Sequence, residues 1–364
     1  MRVLIACGGT AGHIFPGLAL WEELSQEKDC AVVLVVSVYP RDKKILQAVD
    51  FSQAAQLETV NSCPLPYRVS WRYLPFGLSL IGGLLKSLVL VLRYRPDVVV
   101  GFGGSAAFSP LIVARMLGVP TLIHEQNLLP GRANQVLSRF ATQVAISFEA
   151  TERFFPRAKI KHTGFPLRKQ LQPSAAGQLK KNAARFNIAV LGGSQGAHRI
   201  NQLVLESLSL IEQNQRRKLR LIHLSGKNDY FWVKQSYLSL GLDAEVFDFL
   251  KDMAGVYRVA DLVISRSGAG TIFELAHFGL PAILLPHAFG TGHQRENSLL
   301  LARRQAAIVL EEQNTSAADL KQILLELMDN QALRQGLSEK IKTLDNPSAG
   351  RDLKEQVLTL SKRH

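Results

Sequence analysis

Two glycine loops of identical spacing set the frame for this chain. Gly8-Gly9-Thr10-Ala11-Gly12 and Gly192-Gly193-Ser194-Gln195-Gly196 each end a short apolar run and open a helical pattern. Adjacent glycines permit a tight turn, and the N–H groups of such a turn, with the helix dipole behind it, favour phosphate. Close packing of strand on helix explains one such loop equally well, but explains two at equivalent places less readily. Apolar runs alternate with helical patterns throughout. In the first half they are Arg2–Cys7, Ala31–Ser37, Asp97–Gly101, Pro120–His124 and Gln143–Ser147. In the second they are Asn187–Leu191, Arg220–Leu224, Glu245–Phe249, Asp261–Ser265, Pro281–Leu285 and Ala307–Leu310. This is the rhythm of a parallel α/β fold. The expectation is two Rossmann-like, doubly wound domains facing a cleft, with ligands at the C-terminal ends of the strands.

The length of 364 residues agrees, at about 150 residues per domain. Residues 167–186 are polar and basic with few apolar anchors, and read as a linker between domains at 1–166 and 187–346. The remaining 347–364 reads as a C-terminal helix packing back toward the first domain. A formal net charge of +13 calls for an anionic partner: nucleic acid, an acidic membrane surface or a phosphorylated substrate. Only 7% of the chain is aromatic, which argues against a base-stacking surface, so no nucleic acid is expected. Cys7, Cys30 and Cys63 form no C-x-x-C pair, which excludes a disulfide framework or zinc ribbon and fits a reducing compartment. The opening apolar run is too short for a signal peptide, and a cytoplasmic protein is expected. G-x-G-x-x-G is absent and Asp42 arrives late for a ribose-binding acid, which disfavours an NAD-dependent dehydrogenase.

Four motifs occur in order across nearly the whole chain: Gly8-Gly9-Thr10-Ala11-Gly12-His13 with Phe15-Pro16, His124-Glu125-Gln126-Asn127, Gly192-Gly193-Ser194-Gln195-Gly196-Ala197 and Arg266-Ser267-Gly268-Ala269. Together they resemble glycosyltransferase family 28, the MurG family. The resemblance implies a GT-B fold with the acceptor and membrane side first and the nucleotide-sugar side second. It implies inverting transfer of GlcNAc from UDP-GlcNAc to the C4 hydroxyl of the muramoyl sugar of lipid I, forming lipid II for peptidoglycan. A GT-B glycolipid synthase acting on diacylglycerol is the alternative within that class. Ala11 stands where the family usually has glycine, Phe165 where Gly-Asn-Pro is common, and Gly270 and Phe273 alter the stretch before Glu274.

Transfer to a sugar hydroxyl needs a base, and His13 is the leading choice, since imidazole titrates near operating pH. Capping the following helix, or binding phosphate as a cation, is its competing use; Glu125 is the alternative base. His124-Glu125 begins like a zinc H-E-x-x-H, but Leu128 replaces the second histidine. The resemblance assigns substrate contacts to Thr10, Ala11, Gly12 and Asn127, with His124 either a contact or part of a strand-end polar network. Arg168 and Ser194 in the second domain, with Gly193, are candidates for the diphosphate. Ala269, Gly270, Thr271, Ile272 and Phe273 open a helix closed by Gly279 and Pro281, whose amides would stabilise departing UDP. Glu274 would accept from the ribose hydroxyls, or else complement the helix dipole as a first-turn acid. Leu250 resembles the uracil-reading position, and Gln294 with His293 the sugar-reading motif. No D-x-D signature appears, so no tightly bound metal or cofactor is expected, with a divalent cation such as Mg²⁺ at most stimulatory.

From Thr59 to Pro96 there is no acidic residue, while Arg68, Arg72, Lys86, Arg93 and Arg95 are basic. Within it Leu74–Leu92 is mostly apolar, but Pro75, three glycines and Lys86 count against a membrane span. A core helix is one reading. A cation-ringed apolar patch resting on anionic lipid is the favoured one, placing the protein peripherally on the cytoplasmic face of the inner membrane. Cell-wall synthesis and division proteins are further expected partners.

Overall fold

The computed structural model describes residues 1–48, 56–62, 73–171, 179–192, 197–287 and 292–362. They divide into two units, Met1–Lys169 with Asn346–His364, and Gln170–Asp345. The first unit carries strands β1 (Arg2–Ala6), β2 (Ala31–Ser37), β3 (Gln56–Val60), β4 (Val98–Gly101), β5 (Thr121–Glu125), β6 (Gln143–Ile146) and β7 (Ile160–His162). They form a parallel sheet in the order β3-β2-β1-β4-β5-β6-β7. Its helices are α1 (Ala11–Leu24), α2 (Pro40–Ala48), α3 (Tyr73–Tyr94), α4 (Gly104–Met116) and α5 (Arg132–Leu137). Because side chains alternate along a strand, β1 feeds two cores. Val3 and Ile5 join Leu18, Leu20 and Leu24 of α1, while Leu4 and Ala6 join Ala106, Ala107 and Leu111 of α4. Burial on both faces is why the central strands read as unbroken apolar runs.

The second unit carries β8 (Phe186–Leu191), β9 (Leu219–Leu224), β10 (Asp243–Phe247), β11 (Leu262–Ser265), β12 (Ala282–Leu284) and β13 (Ile308–Val309). The sheet is parallel, in the order β10-β9-β8-β11-β12-β13. Its helices are α6 (His198–Ser209), α7 (Gln213–Arg216), α8 (Tyr230–Ser239), α9 (Met253–Val259), α10 (Ala269–Phe278), α11 (His293–Arg303), α12 (Ala317–Asp329) and α13 (Gln331–Lys342). The chain then returns to the first unit as α14 (Ala349–Ser361), which sets Leu353, Val357 and Leu360 in the core beside Val3 and Leu18. Polar contacts pin it there: Lys354 Nζ donates to Glu27 and Gln143 Nε2 to Gln356, both at 2.8 Å. Strand order reverses between β1 and β4, and again between β8 and β11. Such switch points are where doubly wound sheets bind ligands, at the strands' C-terminal ends.

Three details refine the sequence reading. β10 ends at Phe247, so Asp248–Leu250 forms a loop beyond the strand. Within the linker, Lys181 pairs with Asp261 at 2.6 Å and Arg185 with Asp243 at 2.7 Å. Lastly, the basic stretch around α3 is not free of acid in space. Glu58, on edge strand β3, lies 3.6 Å from Lys86 and 3.5 Å from Arg93, and accepts from Tyr94 Oη at 2.7 Å.

The core-helix reading of α3 also fails. Only 22% of its apolar stretch, Phe76–Tyr94, is buried. Leu90 and Val91 face inward, while Leu78, Ile81, Leu85, Val89 and Leu92 recur at helical spacing and are 57% to 66% exposed. Arg68 and Arg72 lie outside the described residues.

Candidate active site

At the first switch point β1 runs into Gly8 and Gly9, and β4 into Phe102 and Gly103. Gly104 has a φ of +71°, and a Cβ there would meet Gly8 O at 2.7 Å and His13 Nδ1 at 3.1 Å, so only glycine lets the start of α4 come this close. His13 lies in the first turn of α1, half-buried, with Nδ1 3.1 Å from both Gly8 O and Thr10 Oγ1. A carbonyl only accepts, so Nδ1 carries the proton and the ring's lone pair resides on Nε2, the tautomer a general base requires. Thr10 is the N-cap of α1, and Ala11 and Gly12 open the helix. Ala11 is not among the positive-φ residues, so its replacement of glycine carries no backbone strain.

Asp42 already occupies one amide of the first glycine loop. Its buried carboxylate accepts from Gly9 N at 2.8 and 3.1 Å, Ser37 N at 3.2 Å and Ser37 Oγ at 2.5 Å. The chain therefore supplies this amide with an anion of its own.

At the end of β5, His124 is fully buried, donates from Nε2 to Gly164 O at 3.0 Å and receives Gln126 Nε2 on Nδ1 at 3.1 Å. Burial pushes its pKa down to about 4, and Phe165 closes over the ring edge at 6.5 Å between centroids. His124 is a neutral member of a strand-end network, which removes it from the sugar contacts. Glu125 is equally occupied. Oε1 accepts from Asn127 N at 2.9 Å and Nδ2 at 3.3 Å, and Oε2 from Gly131 N at 3.0 Å and Asn134 Nδ2 at 2.8 Å. It holds the turn that presents the half-buried Asn127, an arrangement suited to positioning rather than to proton transfer. Arg168 belongs to the first unit, not the second. Its guanidinium stacks 3.9 Å from the centre of the Phe15 ring, a cation–π contact.

In the second unit, α10 begins after Gly268 and ends at left-handed Gly279. The amides of its first turn, at Ala269, Gly270 and Thr271, have no acceptor within the helix and are available to an anion. Ile272 N already donates to Gly268 O at 3.0 Å, and the Ile272 and Phe273 side chains are core residues. Glu274 lies in the second turn, beyond the reach of the dipole argument. Its Oε2 accepts from the hydroxyl of Tyr257, a buried α9 residue, at 2.6 Å. The loop before α10 is braced from below. Arg266 bonds Leu285 O at 3.1 Å and Glu312 at 2.6 Å. Ser267 Oγ donates to Gln294 O at 2.8 Å, and Asn297 Nδ2 to Ser267 O at 3.2 Å. Gln294 Oε1 accepts from His287 N at 3.0 Å, which orients its NH₂ as the remaining donor, and half-buried His293 opens α11 beside it. Leu250 is half-buried in the loop after β10, just before Asp252, which caps α9 by accepting from Gly255 N at 2.8 Å. Gly193 and Ser194 lie outside the described residues. Among the described residues no three His, Cys, Asp or Glu side chains gather to hold a metal ion.

The groups on the loops after β10, β11 and β12 thus comprise anion-binding amides, a fixed carboxylate and an oriented amide. That is the chemistry of a nucleoside diphosphate with a polar sugar. Sequence reasoning gave no individual role to Tyr257, Ser267 or Asn297, whose roles arise only from tertiary contact, and it missed His223 on β9. Burial pushes the His223 pKa down to about 3. Both His124 and His223 are neutral when folded but protonate near pH 6.5 when unfolded. Their contribution is fully present above pH 6.5 and is lost as pH falls. Stability should drop by about 1.4 kcal/mol per pH unit per histidine between roughly pH 6 and 4. Urea denaturation at several pH values checks this, and unchanged stability over that range would mean the rings are not buried neutral.

Comparison with known proteins follows the two units. The Glycosyltransferase family 28 N-terminal domain model matches residues 3–146, and the C-terminal domain model residues 187–356. The chain is 36% identical to the UDP-N-acetylglucosamine–N-acetylmuramyl-(pentapeptide) pyrophosphoryl-undecaprenol N-acetylglucosamine transferase of Geobacter metallireducens, covering 100% of this chain and 99% of that one. It is 34% identical to the transferase of the same name from Trichlorobacter lovleyi, over 98% of each. The crystal structure of Acinetobacter baumannii MurG superposes with a TM-score of 0.77 at 26% identity, covering 98% of this chain and 99% of that one. The S. aureus MnaA-UDP co-structure, at TM-score 0.71 and 14% identity over 99% and 97% of the two chains, shares the fold.

Proposed function

Because this chain belongs to glycosyltransferase family 28, we infer that it transfers N-acetylglucosamine from UDP-N-acetylglucosamine to lipid I, forming lipid II. It is a hexosyltransferase of GT-B fold acting in peptidoglycan synthesis. The observation that carries this is the full-length match to transferases of that name, 34% to 36% identical.

The finer reading rests on the residues. His13 Nε2 takes the proton from the C4 hydroxyl of the muramoyl sugar as that oxygen attacks the anomeric carbon and inverts it. The bond to UDP breaks, and the charge moves onto the diphosphate. Amides of the first turn of α10 meet that charge, the electrostatic contribution that usually dominates such steps. Glu274, held by Tyr257, accepts from the ribose hydroxyls; Leu250 lies against uracil, and Gln294 with His293 reads the sugar. Ser194 and Gly193 serve the diphosphate on sequence grounds alone. Arg168 serves the diphosphate on sequence grounds as well. No resident metal ion enters this reading; a divalent cation acts only as a soluble counter-ion of the diphosphate. The apolar stripe on α3 rests on anionic lipid, holding the protein peripherally at the cytoplasmic face of the membrane that carries its acceptor.

Transfer of labelled sugar from UDP-N-acetylglucosamine to lipid I, with diacylglycerol as a parallel acceptor and with chelator present, tests the reading. Product on lipid I alone supports it; product on diacylglycerol alone would replace it with glycolipid synthesis. Glu274→Ala should raise the donor KM about 10- to 100-fold, the effect of losing hydrogen bonds to a charged group. Unchanged donor affinity by calorimetry would remove Glu274 from the site.

A further inference from the structure

Beyond the groups used above, the second unit holds a chain of polar side chains running from its core to its surface. The hydroxyl of buried Tyr237, on α8, lies 2.7 Å from His223 Nδ1, and His223 Nε2 lies 2.9 Å from Asn201 Oδ1. Asn201 Nδ2 donates to Asp229 Oδ2 at 2.7 Å and to Ser225 O at 3.0 Å. With the Asn201 amide so oriented, Oδ1 can only accept. His223 therefore donates from Nε2 and accepts the tyrosine proton on Nδ1. The relay ends on Asp229, whose two oxygens each lie 3.0 Å from His198 Nδ1. Trp232 covers the His198 ring at 5.3 Å between centroids. The His198 side chain is 70% exposed, and its Nε2 has no hydrogen-bond partner among the described residues.

Position gives this pair a use. His198 opens α6, the first helix after β8, and Asp229 ends the connection from β9 to α8. Both stand at the C-terminal edge of the sheet, where the donor groups are. Fully bonded buried polar groups fix geometry at the cost of desolvation, and an exposed ion pair alone gains little from such support. The charged group that faces His198 is Asp229; Trp232 supplies only an apolar face.

Resting on the donor reading above, we propose that His198, oriented by Asp229, binds the diphosphate of the donor nucleotide through Nε2, most tightly when the imidazole is protonated. Calorimetry with UDP-N-acetylglucosamine on the full chain, at pH 6.0 and 8.0 without acceptor, tests this. The probe's diphosphate is esterified at both ends and does not titrate in that range. Wild-type affinity should be about three- to fivefold higher at pH 6.0, the scale of an exposed ion pair. His198→Gln should lose that difference, and His198→Arg should bind tightly at both pH values. The same pH ratio in His198→Gln as in wild type, or none in wild type, overturns the proposal. No binding by any variant at either pH would instead overturn the donor reading itself, and this inference with it.

Discussion

Replacing His13 with alanine should lower kcat about 10²- to 10⁴-fold, the usual loss when a general base is removed, with donor KM little changed. Nδ1 is anchored to Gly8 O and Thr10 Oγ1, both at 3.1 Å, so the imidazole is held in one tautomer. The acidic limb of the pH–rate profile should vanish with the ring, because that limb reports protonation of Nε2. Glu125 offers no substitute, since both its oxygens are taken by Asn127, Gly131 and Asn134. A near-normal kcat with the acidic limb intact would give the role to another group.

The second large effect concerns the exposed apolar stripe of α3. Ile81→Ser, Leu85→Ser and Leu92→Ser combined should weaken binding to anionic vesicles about 100-fold or more, each residue withdrawing on the order of 1 kcal/mol of apolar transfer energy. Removal of Arg68, Arg72, Arg93 and Arg95 should add about 1 kcal/mol for each cation near the surface. Arg93 should count for less, because Glu58 already lies 3.5 Å from it. Activity on a water-soluble, short-chain acceptor should survive the triple substitution. Equal loss on both acceptors would show that the stripe supports the fold instead.

How much of this was legible depends on what burial does to sequence. Ala31–Ser37 is buried on both faces and shows as an unbroken apolar run, so its limits were readable from residues alone. Edge strands β3 and β7 are buried on one side at most and include Gln56, Glu58, Lys161 and His162, so no run marks them. The helix over Ala269–Phe278 was readable because Gly279 and Pro281 punctuate its end. The division of labour within His124-Glu125-Gln126-Asn127 was not. Whether a polar side chain meets a ligand or a neighbour depends on partners distant in sequence, such as Gly164 for His124. Tyr257 and Glu274 are joined for the same reason, by packing of α9 and α10 that no local pattern announces.

Two units of one topology would ordinarily offer a nucleotide two berths. The carboxylate of Asp42, resting on Gly9 N at 2.8 Å, closes one of them. A diphosphate approaching the first loop would have to evict that carboxylate or sit beside it. Two such charges 4 Å apart repel by roughly 4 kcal/mol at an effective dielectric constant of about 20. The first unit's loop is thereby barred to a diphosphate by its own occupant, and a single aspartate makes two like-built units chemically unlike. Neutralising it, as in Asp42→Asn, would remove the bar as well as a brace of the loop, so the halves stay distinct only while that charge remains.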